Sequence, residues 1–251
     1  MNIEIIHSPT DDKPFLVIYK SKGLPSAPLN AEDTQNALSQ AVEMFPEIKT
    51  VCGKKQIEYG LLHRLDTATD GLIVIATSQE CYDFLMAEQE AGRFIKTYSA
   101  ECNIIYDNAR RLGGFPPDIP EFSNVTSYFR PYGEGRKEVR PVTENSGKAA
   151  LSKLGKQKLY TTKINIEKIS ETKARATCEI SQGYRHQVRC HLAWAGYPVS
   201  GDILYNAEYR QNTEISEDKK NAENLLFSAT KISFEYPRGD LNSYDRKDTW
   251  T

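Results

Sequence analysis

The stretch "HRLDTATDGLIVIA" (His63–Ala76) determines how the rest of the sequence is interpreted. It begins with charged residues, passes through a polar turn and ends in Leu72–Ala76, an apolar run typical of a buried strand. Polar groups beside a core strand cost stability unless they are hydrogen-bonded or used. On these residues alone, Arg64 and Asp66 form a structural ion pair, and a functional role for Asp66 needs support from elsewhere in the chain.

The composition is that of a folded protein. The chain has 251 residues, of which 39% are hydrophobic and 26% charged, so it can bury a sizeable core. No apolar run is long enough to span a bilayer, and the start "MNIEIIHSPTDDKP" lacks the apolar segment of a signal peptide. These features predict a cytoplasmic protein without a membrane partner. The five cysteines contain no C-x-x-C pair, which argues against a disulfide framework and a cysteine-rich zinc site.

Charge is distributed unevenly along the chain. The formal net charge is −2, yet residues 110–163 contain eleven Lys and Arg against five Asp and Glu. A basic segment on an acidic body suits a localised polyanion-binding surface. The candidates for that surface lie in "RPYGEGRKEVRP" and are Arg136, Lys137 and Arg140. A solvated loop region explains the charge alone equally well.

The periodicity predicts strands that follow one another without regularly intervening helices. Expected strands include "FLVIYK" (15–20), "GLIVIAT" (71–77), "RFIKTYSAECNI" (93–104) and the hairpin "KINIEKIS" with "KARATCEIS". Helices are expected after Asp33 or Thr34, between Ser78 and Gly92, and from Arg185 to Gly196. The sequence therefore predicts an α+β fold with a mixed, mainly antiparallel β-sheet and flanking helices.

The domain organisation is expected to be simple. No segment has the composition of a linker, so residues 1–251 are expected to form a single domain. Residues 107–122 are rich in Gly and Pro and predict a long loop. Residues 237–251 are polar and predict a loose C-terminal tail.

Several kinds of site find no support in the sequence. The spacing of His186 and His191 is not that of a helical metal pair, and no phosphate-binding glycine motif or G-x-S-x-G elbow is present. The polar residues left in core-like surroundings are Asp66, Tyr98 and Arg189. Arg189 lies beside the apolar stripe of its helix, where an arginine requires a carboxylate, and Asp66 is the natural candidate.

Five stretches resemble the blocks of the RluA-type pseudouridine synthases, in the family's order. "HRLDTATDGLIVIA" is similar to the first signature block, and "SQGYRHQVRCHLAWAGYPVSGDILY" (181–205) is similar to the second. Further resemblances are found in "DKPFLVIYKSKGLPSAP" (12–28), "KTYSAEC" (96–102) and "LLFSATKISFEYP" (225–237). One short block can match by chance, whereas five in order are a specific signal.

The resemblance implies the pseudouridine synthase catalytic-domain fold and the isomerisation of uridine to pseudouridine in RNA, without cofactor or metal. It implies Asp66 as the essential carboxylate, Tyr98 as the base-contacting tyrosine and candidate general base, and Arg189 as the partner of the aspartate. Arg64 would help to take the target nucleotide out of the helix. The other RNA-binding candidates within the blocks are His63, Lys96, Arg185, His186 and Gln187.

The implied partner is a structured RNA, either ribosomal or transfer RNA, and the chain is expected to act as a monomer. The chain begins at the catalytic region, so no separate N-terminal RNA-binding domain is expected. Three positions depart from the family pattern. Asp70 replaces a serine and puts an extra negative charge near a polyanion, Tyr184 replaces an arginine, and "KSKGLP" lacks a proline.

Two other classes of function compete with this interpretation. The first is a non-catalytic RNA-binding protein on the same scaffold, which would need no nucleophile. The second is an unrelated hydrolase using Asp66 and a histidine, for which the sequence holds no second motif. The presence of Asp66, Tyr98 and Arg189 together favours the synthase.

Overall fold

The computed structural model describes residues 2–106, 112–118, 120, 123–154, 158–210, 224–248 and 250. These residues divide into two compact units. The first unit is formed by residues 1–97 and 228–251, and the second by residues 98–227. Two compact units can belong to one domain, so the expectation of a single catalytic domain stays a prediction.

The first unit contains a mixed sheet with strand order β1-β2-β3-β9, and β10 pairs with β9. Its strands and helices are β1 (Ile3–His7), β2 (Phe15–Lys20), α1 (Ala37–Met44), β3 (Asp70–Ala76), α2 (Gln79–Glu90), the start of β4 (Ile95–Asn103), most of β9 (Phe227–Glu235), and β10 (Leu241–Asp245). Short 3-10 helices span Pro46–Thr50 and Gln56–Glu58. The pairings β1–β2, β2–β3 and β9–β10 are antiparallel, whereas β3–β9 is parallel.

The centre of this sheet is formed by β2 and β3. Every residue of both strands is buried, which is why they appear in the sequence as continuous apolar runs rather than as alternating patterns. Their register pairs Phe15 with Ala76 and Lys20 with Gly71. Gly71 has a φ of +135°, and a Cβ there would lie 2.3 Å from the carbonyl oxygen of Ala229 on β9. The close approach of β3 and β9 therefore requires glycine.

The sequence predicted one helix cap correctly and one incorrectly. Ser78 caps α2, because its Oγ accepts the Cys81 N–H at 3.3 Å. The cap of α1 is Asn36, whose Oδ1 accepts the Ser39 N–H at 2.9 Å. Asp33, one of the two predicted caps, instead accepts hydrogen bonds from the backbone N–H groups of residues 29 and 35 in the preceding turn.

The second unit contains an antiparallel sheet with strand order β8-β7-β5-β6. Its elements are the remainder of β4, β5 (Asn124–Tyr132), β6 (Glu138–Val142), α3 (Lys148–Leu151), β7 (Tyr160–Lys168), β8 (Lys173–Ile180), α4 (Gln187–Trp194), and α5 (Ala207–Arg210). A 3-10 helix spans Glu134–Arg136. The predicted hairpin is confirmed as β7 and β8, and the alternating apolar residues of β8 are buried as expected.

Two boundaries differ from the predictions, and part of a third predicted segment is not described. The segment 59–66, whose apolar residues in "YGLLHRLD" also predict the end of a strand, is not one, since Leu61 forms only an isolated bridge with Ile75. The helix expected from Arg185 begins at Gln187, because His186 has a φ of +56° and breaks the helical backbone. Part of the predicted loop over 107–122 lies outside the described residues, namely 107–111, 119, 121 and 122.

The expectation of a loose tail from residue 237 is wrong for Leu241–Asp245, which form β10. The strand is polar in sequence, but Tyr244 packs its ring against Phe15 and Phe234, with centroids 6.2 and 6.4 Å apart. Asn242 donates from Nδ2 to two backbone carbonyls in the turn between β9 and β10. One aromatic anchor and backbone pairing with β9 thus order a segment with little hydrophobic signal.

The predicted fold class is confirmed, since each unit is built on β-sheet, the pairings are mainly antiparallel, and few helices flank them. In the described part of the chain, no helix combines the length and apolar character needed to cross a bilayer.

Candidate active site

Asp66 lies in a turn that leads directly into buried β3. The Thr69 N–H donates to the Asp66 carbonyl at 3.0 Å and closes the turn. On the preceding residue, Leu65, the backbone N–H donates to Ser26 Oγ at 3.0 Å while that hydroxyl donates to the Leu65 carbonyl at 2.7 Å. Asp66 is half-buried. The backbone on both sides of this carboxylate is therefore fixed by hydrogen bonds.

Lys20 is a second support of the same turn. It is not among the site residues predicted from the sequence. Its side chain is fully buried at the end of β2, and Nζ donates to the carbonyl oxygens of Leu24, Ser21 and Thr67 at 2.8, 3.1 and 3.3 Å. Burial lowers the pKa of Lys20 to about 8, against the opposing effect of Asp70 and Asp66. The signal available in the sequence was a lysine ending an otherwise apolar strand.

Asp70 is an internal residue, which explains the first departure from the family pattern. Only 1% of its surface is exposed, and its two carboxylate oxygens accept hydrogen bonds from Tyr19 Oη at 2.6 Å and Ser228 Oγ at 2.8 Å. Trp250 Nε1 in turn donates to Ser228 Oγ at 3.0 Å. The carboxylate is therefore held inside the first unit, and its charge does not lie on an RNA-facing surface, contrary to the expectation.

Two of the RNA-binding candidates in the first unit, His63 and Lys96, have limited contact with solvent. His63 Nε2 accepts the Val74 N–H at 3.3 Å, and burial, assisted by Lys96, holds the pKa of His63 well below its usual value. Lys96 is 4% exposed, with Nζ 5.6 Å from the centre of the Phe94 ring. Burial, with the nearby charge of Lys54, lowers the pKa of Lys96 to about 8. Lys96 is therefore buried in the first unit, whereas His63 is half-buried in the segment that leads to Asp66.

Arg64, by contrast, extends into solvent. Its side chain is 55% exposed, and Nη1 lies 3.2 Å from Oε1 of Glu58 in an ion pair. Arg64 precedes Asp66 by two residues on the same segment. An exposed guanidinium in this position is available to contact RNA.

Arg189 and Tyr98 lie in the second unit, where each is held in a defined orientation. Arg189 forms a bidentate ion pair with Asp202, from Nε to Oδ2 and from Nη2 to Oδ1, both at 2.8 Å. Both side chains are buried. Asp202 was missed by the sequence analysis, although it is the aspartate of "SGDILY". The ring of Tyr98 stacks on Phe227 with centroids 5.2 Å apart.

The expected pair between Asp66 and Arg189 joins residues of the two units and stays a prediction. Within the second unit, the ion pair with Asp202 already fixes the plane of the Arg189 guanidinium. A planar fork with several donors can serve more than one acceptor, so this pair is compatible with the predicted role.

The candidates at the start of α4 differ in exposure. Gln187 is buried, and its Nε2 donates to Thr161 O and Thr162 Oγ1 at 3.0 and 3.1 Å, so its amide is engaged inside the unit. His186 is half-buried with Nδ1 3.0 Å from Tyr205 Oη. Arg185 is exposed, and Nη2 donates to the carbonyls at positions 136 and 138.

The basic segment contains one residue that does not belong to a surface. Arg136 and Lys137 are exposed, as predicted. Arg140 is fully buried, forms an ion pair with Glu138 at 2.7 Å and stacks its guanidinium 4.3 Å from the centre of the Tyr132 ring. Its inclusion in an exposed RNA-binding surface is therefore corrected: this arginine is an internal part of the second unit.

Among the described residues, no group of three or more His, Cys, Asp or Glu side chains is arranged to hold a metal ion. The first unit thus presents a half-buried carboxylate at Asp66 on a turn with a fixed backbone. The second unit presents an oriented guanidinium at Arg189 and a stacked phenol at Tyr98.

Comparison with known proteins identifies the family. Residues 14–194 match the family described as RNA pseudouridylate synthase, which is well over half of the chain. RNA pseudouridine synthase 7 of Arabidopsis thaliana is 28% identical over 170 residues, covering 66% of this chain and 39% of that protein. Ribosomal large subunit pseudouridine synthase D of Pseudomonas aeruginosa is 26% identical over 210 residues, covering 84% and 55%. The chain thus spans about half the length of these relatives.

Solved structures support the fold. Human RNA Pseudouridylate Synthase Domain Containing 1 gives a TM-score of 0.63 at 17% identity, over 100% of this chain and 85% of that one. Human RNA Pseudouridylate Synthase Domain Containing 4 gives 0.60 at 19% identity, over 97% and 88%. With the family match and the RluA-type signature blocks, these findings confirm the predicted relationship: the chain belongs to the RNA pseudouridylate synthase family.

Proposed function

We propose that the protein is an RNA pseudouridine synthase in which Asp66 is the nucleophile. The observation that carries the proposal is the support of the Asp66 turn by Ser26 and Lys20. An attacking carboxylate must be held in a productive position, and a turn fixed by hydrogen bonds on both sides supplies that position. Membership of the family supports the class of reaction.

The reaction rearranges bonds within one nucleotide. The bond from N1 of uracil to C1′ of ribose breaks, the detached base turns, and a bond forms between C5 and C1′. The proton on C5 is lost, and N1 takes up a proton. Asp66 attacks the uridine, and the bond that it forms breaks again as the base is reattached, which regenerates the carboxylate. Tyr98 is the candidate base for the C5 proton. Stacking on Phe227 limits the positions of the Tyr98 ring, which favours this role.

Arg189 serves Asp66 in this proposal. A guanidinium beside a carboxylate favours its ionised form and sets its direction. The bidentate pair with Asp202 supports the role, because it removes most of the rotational freedom of the Arg189 side chain before the substrate binds. No metal or cofactor is required by this scheme.

The substrate uridine must leave its helix to reach a carboxylate, so we propose base flipping with Arg64 as the inserted side chain. Its exposure and its position two residues before Asp66 support this role. We expect Arg64→Ala to reduce turnover of a base-paired uridine more than that of the same uridine in a single strand, because the unpaired base costs less to extrude. Arg93→Ala, at another exposed arginine of the first unit, is the matched control. Equal losses on both RNAs would argue against insertion.

The RNA is proposed to be ribosomal or transfer RNA. Relatives named as ribosomal large subunit pseudouridine synthases make ribosomal RNA the first to be tested. A pseudouridine map of total RNA from cells with and without the gene identifies the target. We also propose a cytoplasmic monomer, which cell fractionation and light scattering of the purified protein test separately.

The decisive test of the reaction uses total RNA from cells that lack the gene, labelled with tritium at C5 of uridine. Pseudouridine formation releases that tritium into water. Asp66→Asn is expected to lower the release by more than about a thousandfold, the scale seen when a nucleophile is removed. Asp83→Asn, at an exposed aspartate on α2, is the control and should react normally.

Retained turnover in Asp66→Asn would overturn the nucleophile assignment. Binding of RNA by the unaltered protein without any pseudouridine would instead favour the non-catalytic RNA-binding alternative.

A further inference from the structure

A concave surface of the second unit is lined by none of the candidate site residues described above. It is a cleft of about 360 Å³ between the segments 114–117 and 146–153, with Arg130 of β5 on its wall. That volume is in the range of small-ligand sites, about 300 to 1,000 Å³. Arg130 and Lys153 are both basic, and none of the described residues that line the cleft is acidic. The cleft is therefore suited to an anionic ligand.

Arg130 carries a charge that its surroundings do not balance. The side chain is half-buried, and burial, followed by repulsion from Arg140, lowers the pKa of its guanidinium. Among the described residues, Arg130 forms no ion pair with a carboxylate. The phenol of Tyr132 favours its charged form, and the Gly114 carbonyl accepts a hydrogen bond from Nη2. Arg140, in contrast, is neutralised by Glu138. A half-buried arginine without a carboxylate gains stability when an anion binds.

The guanidinium of Arg130 is also held in place before any ligand arrives. Its centre lies 4.9 Å from the ring centre of Tyr132, and Nη2 donates to the Gly114 carbonyl at 3.3 Å. Nε is buried without a hydrogen-bond partner in the described structure. These contacts use few of its five N–H donors. A pre-oriented guanidinium with donors to spare binds phosphate oxygens with a small loss of side-chain entropy.

The remaining walls suit the other parts of a nucleotide. Phe115, Pro116 and Pro117 form an apolar face against which a ribose or base can pack. Ser146 Oγ accepts the Thr143 N–H at 2.9 Å, which leaves its hydroxyl proton for a ligand oxygen. Lys153 is exposed and adds a second positive charge. The combination of two cations, a hydroxyl and an apolar wall matches a nucleoside phosphate better than an acidic peptide.

We propose that this cleft binds a phosphate and the adjoining nucleoside of the RNA substrate, at a nucleotide other than the uridine that reacts. The identification of the anion as RNA rests on the proposed function, whereas the anion site itself does not. The site would contribute to the affinity and choice of RNA, and not to the chemistry at Asp66.

The test uses the full chain with Arg130→Gln, Lys153→Gln and the double substitution. Lys163→Gln is the matched control, because Lys163 is an exposed lysine of the same unit paired with Glu179 outside the cleft. We expect Arg130→Gln to raise the KM for RNA about tenfold or more, the scale of one charge-assisted hydrogen bond, with kcat unchanged. The double variant should reduce the slope of log Kd against log salt by roughly one unit, which corresponds to the loss of one phosphate contact.

A second measurement does not depend on activity. Uridine 5′-monophosphate and inorganic phosphate are titrated into the labelled protein while NMR signals of the cleft residues are followed. The monophosphate is expected to bind more tightly than inorganic phosphate. The double variant with Arg130→Gln and Lys153→Gln should show no change in the NMR signals of the cleft residues with either compound. Lys153 is exposed, so Lys153→Gln keeps the test valid if Arg130→Gln fails to fold.

The outcomes separate this proposal from the proposed function. Unaltered catalysis with no effect of either substitution on KM, Kd or salt slope beyond that of Lys163→Gln would overturn the cleft site alone. Equal binding of inorganic phosphate and the monophosphate, with RNA affinity unchanged in the variants, would identify a free-anion site and overturn the RNA assignment. Binding of the monophosphate at the cleft by a protein that forms no pseudouridine would support the anion site and overturn the proposed function alone.

Discussion

Lys20 donates a hydrogen bond from a fully buried ammonium group to the carbonyl oxygen of Thr67, over 3.3 Å. Thr67 directly follows Asp66, so this bond ties the end of β2 to the turn that carries the proposed nucleophile. The same ammonium group holds two further carbonyls in the Gly/Pro-rich segment after β2. One internal cation thereby organises both stretches of chain around Asp66.

The pKa of Lys20 predicts a pH-dependent stability. It is about 8 in the folded protein, whereas an unfolded lysine titrates near about 10. Between these values Lys20 holds its proton more tightly in the unfolded chain, so this lysine contributes a rise in unfolding free energy with pH over that interval. Lys96 shows the same lowering and contributes to the same rise. The buried thiols of Cys81, Cys178 and Cys190, whose pKa values burial raises, contribute a fall over the same interval.

Urea unfolding from pH 7 to 10 measures the effect. Compared with the original protein, Lys20→Met and Lys96→Met should each make the slope of unfolding free energy against pH less positive, while Lys163→Met, at an exposed site, should leave that slope unchanged. An unaltered slope in both buried-site variants would contradict this explanation. Lys20→Met should also lower kcat, since the Asp66 turn loses a support that Lys96 does not provide.

Asp70→Asn tests the internal carboxylate that replaces the family's serine. The substitution leaves one oxygen for the two donors Tyr19 Oη and Ser228 Oγ, and should cost about 1 to 3 kcal/mol in unfolding free energy. It should also lower the pKa of Lys20 further, because Asp70 favours the charged lysine. NMR titration of the lysine side chains measures that shift.

Tyr19→Phe is the matched control for Asp70→Asn. It removes the hydroxyl that donates to Asp70 but keeps the negative charge of Asp70, so the pKa of Lys20 should stay at about 8. If Asp70→Ser were as stable as the original protein with an unchanged Lys20 pKa, the aspartate would have no part in supporting this lysine.

Asp202→Asn tests the support of Arg189. Removal of one partner leaves a buried guanidinium without its carboxylate, which costs about 3 to 5 kcal/mol in comparable buried pairs. Glu179→Gln breaks the exposed pair with Lys163 and should cost less than about 1 kcal/mol. Denaturant unfolding of the two variants measures the difference. Similar losses at the two sites would mean that the buried pair contributes no more than a surface pair.

The basic segment can now be tested at its exposed residues only. Arg136→Gln with Lys137→Gln should flatten the salt dependence of RNA binding, by roughly one unit of slope for each phosphate that the variant no longer binds. Arg140→Gln should instead lower stability, because it leaves Glu138 with a weaker partner inside the unit. An unchanged slope in the exposed double variant would exclude this segment as an RNA surface.

Local patterns were enough to predict several elements. The all-apolar run of β2, the alternation of β8 and the Ser78 cap of α2 depend on neighbours a few residues away, and all three are confirmed. The signature blocks also identified Asp66, Tyr98 and Arg189 as candidate catalytic residues, and their roles stay predictions.

The failures share a different cause. The hydrogen bond from Ser228 to Asp70 joins residues 158 positions apart, and nothing within either segment indicates it. The sequence around Arg140 is typical of a surface charge, because the ring of Tyr132 on β5 comes next to it only once β5 and β6 pair. The strand β10 lacks an apolar pattern and depends on Tyr244 and the existing edge of β9. Each case required tertiary contacts that residue type alone does not specify.

The division of the chain also sets an order of events during synthesis. The second unit is one continuous segment, residues 98–227, whereas the first requires β9 and β10 from the far end of the chain. Ribosomes add about 5 to 20 residues per second. The central strands β2 and β3 must therefore wait for some 150 further residues, roughly eight to thirty seconds, before Ser228 can reach Asp70. During that interval the apolar edge of β3 is a candidate for chaperone protection on the nascent chain.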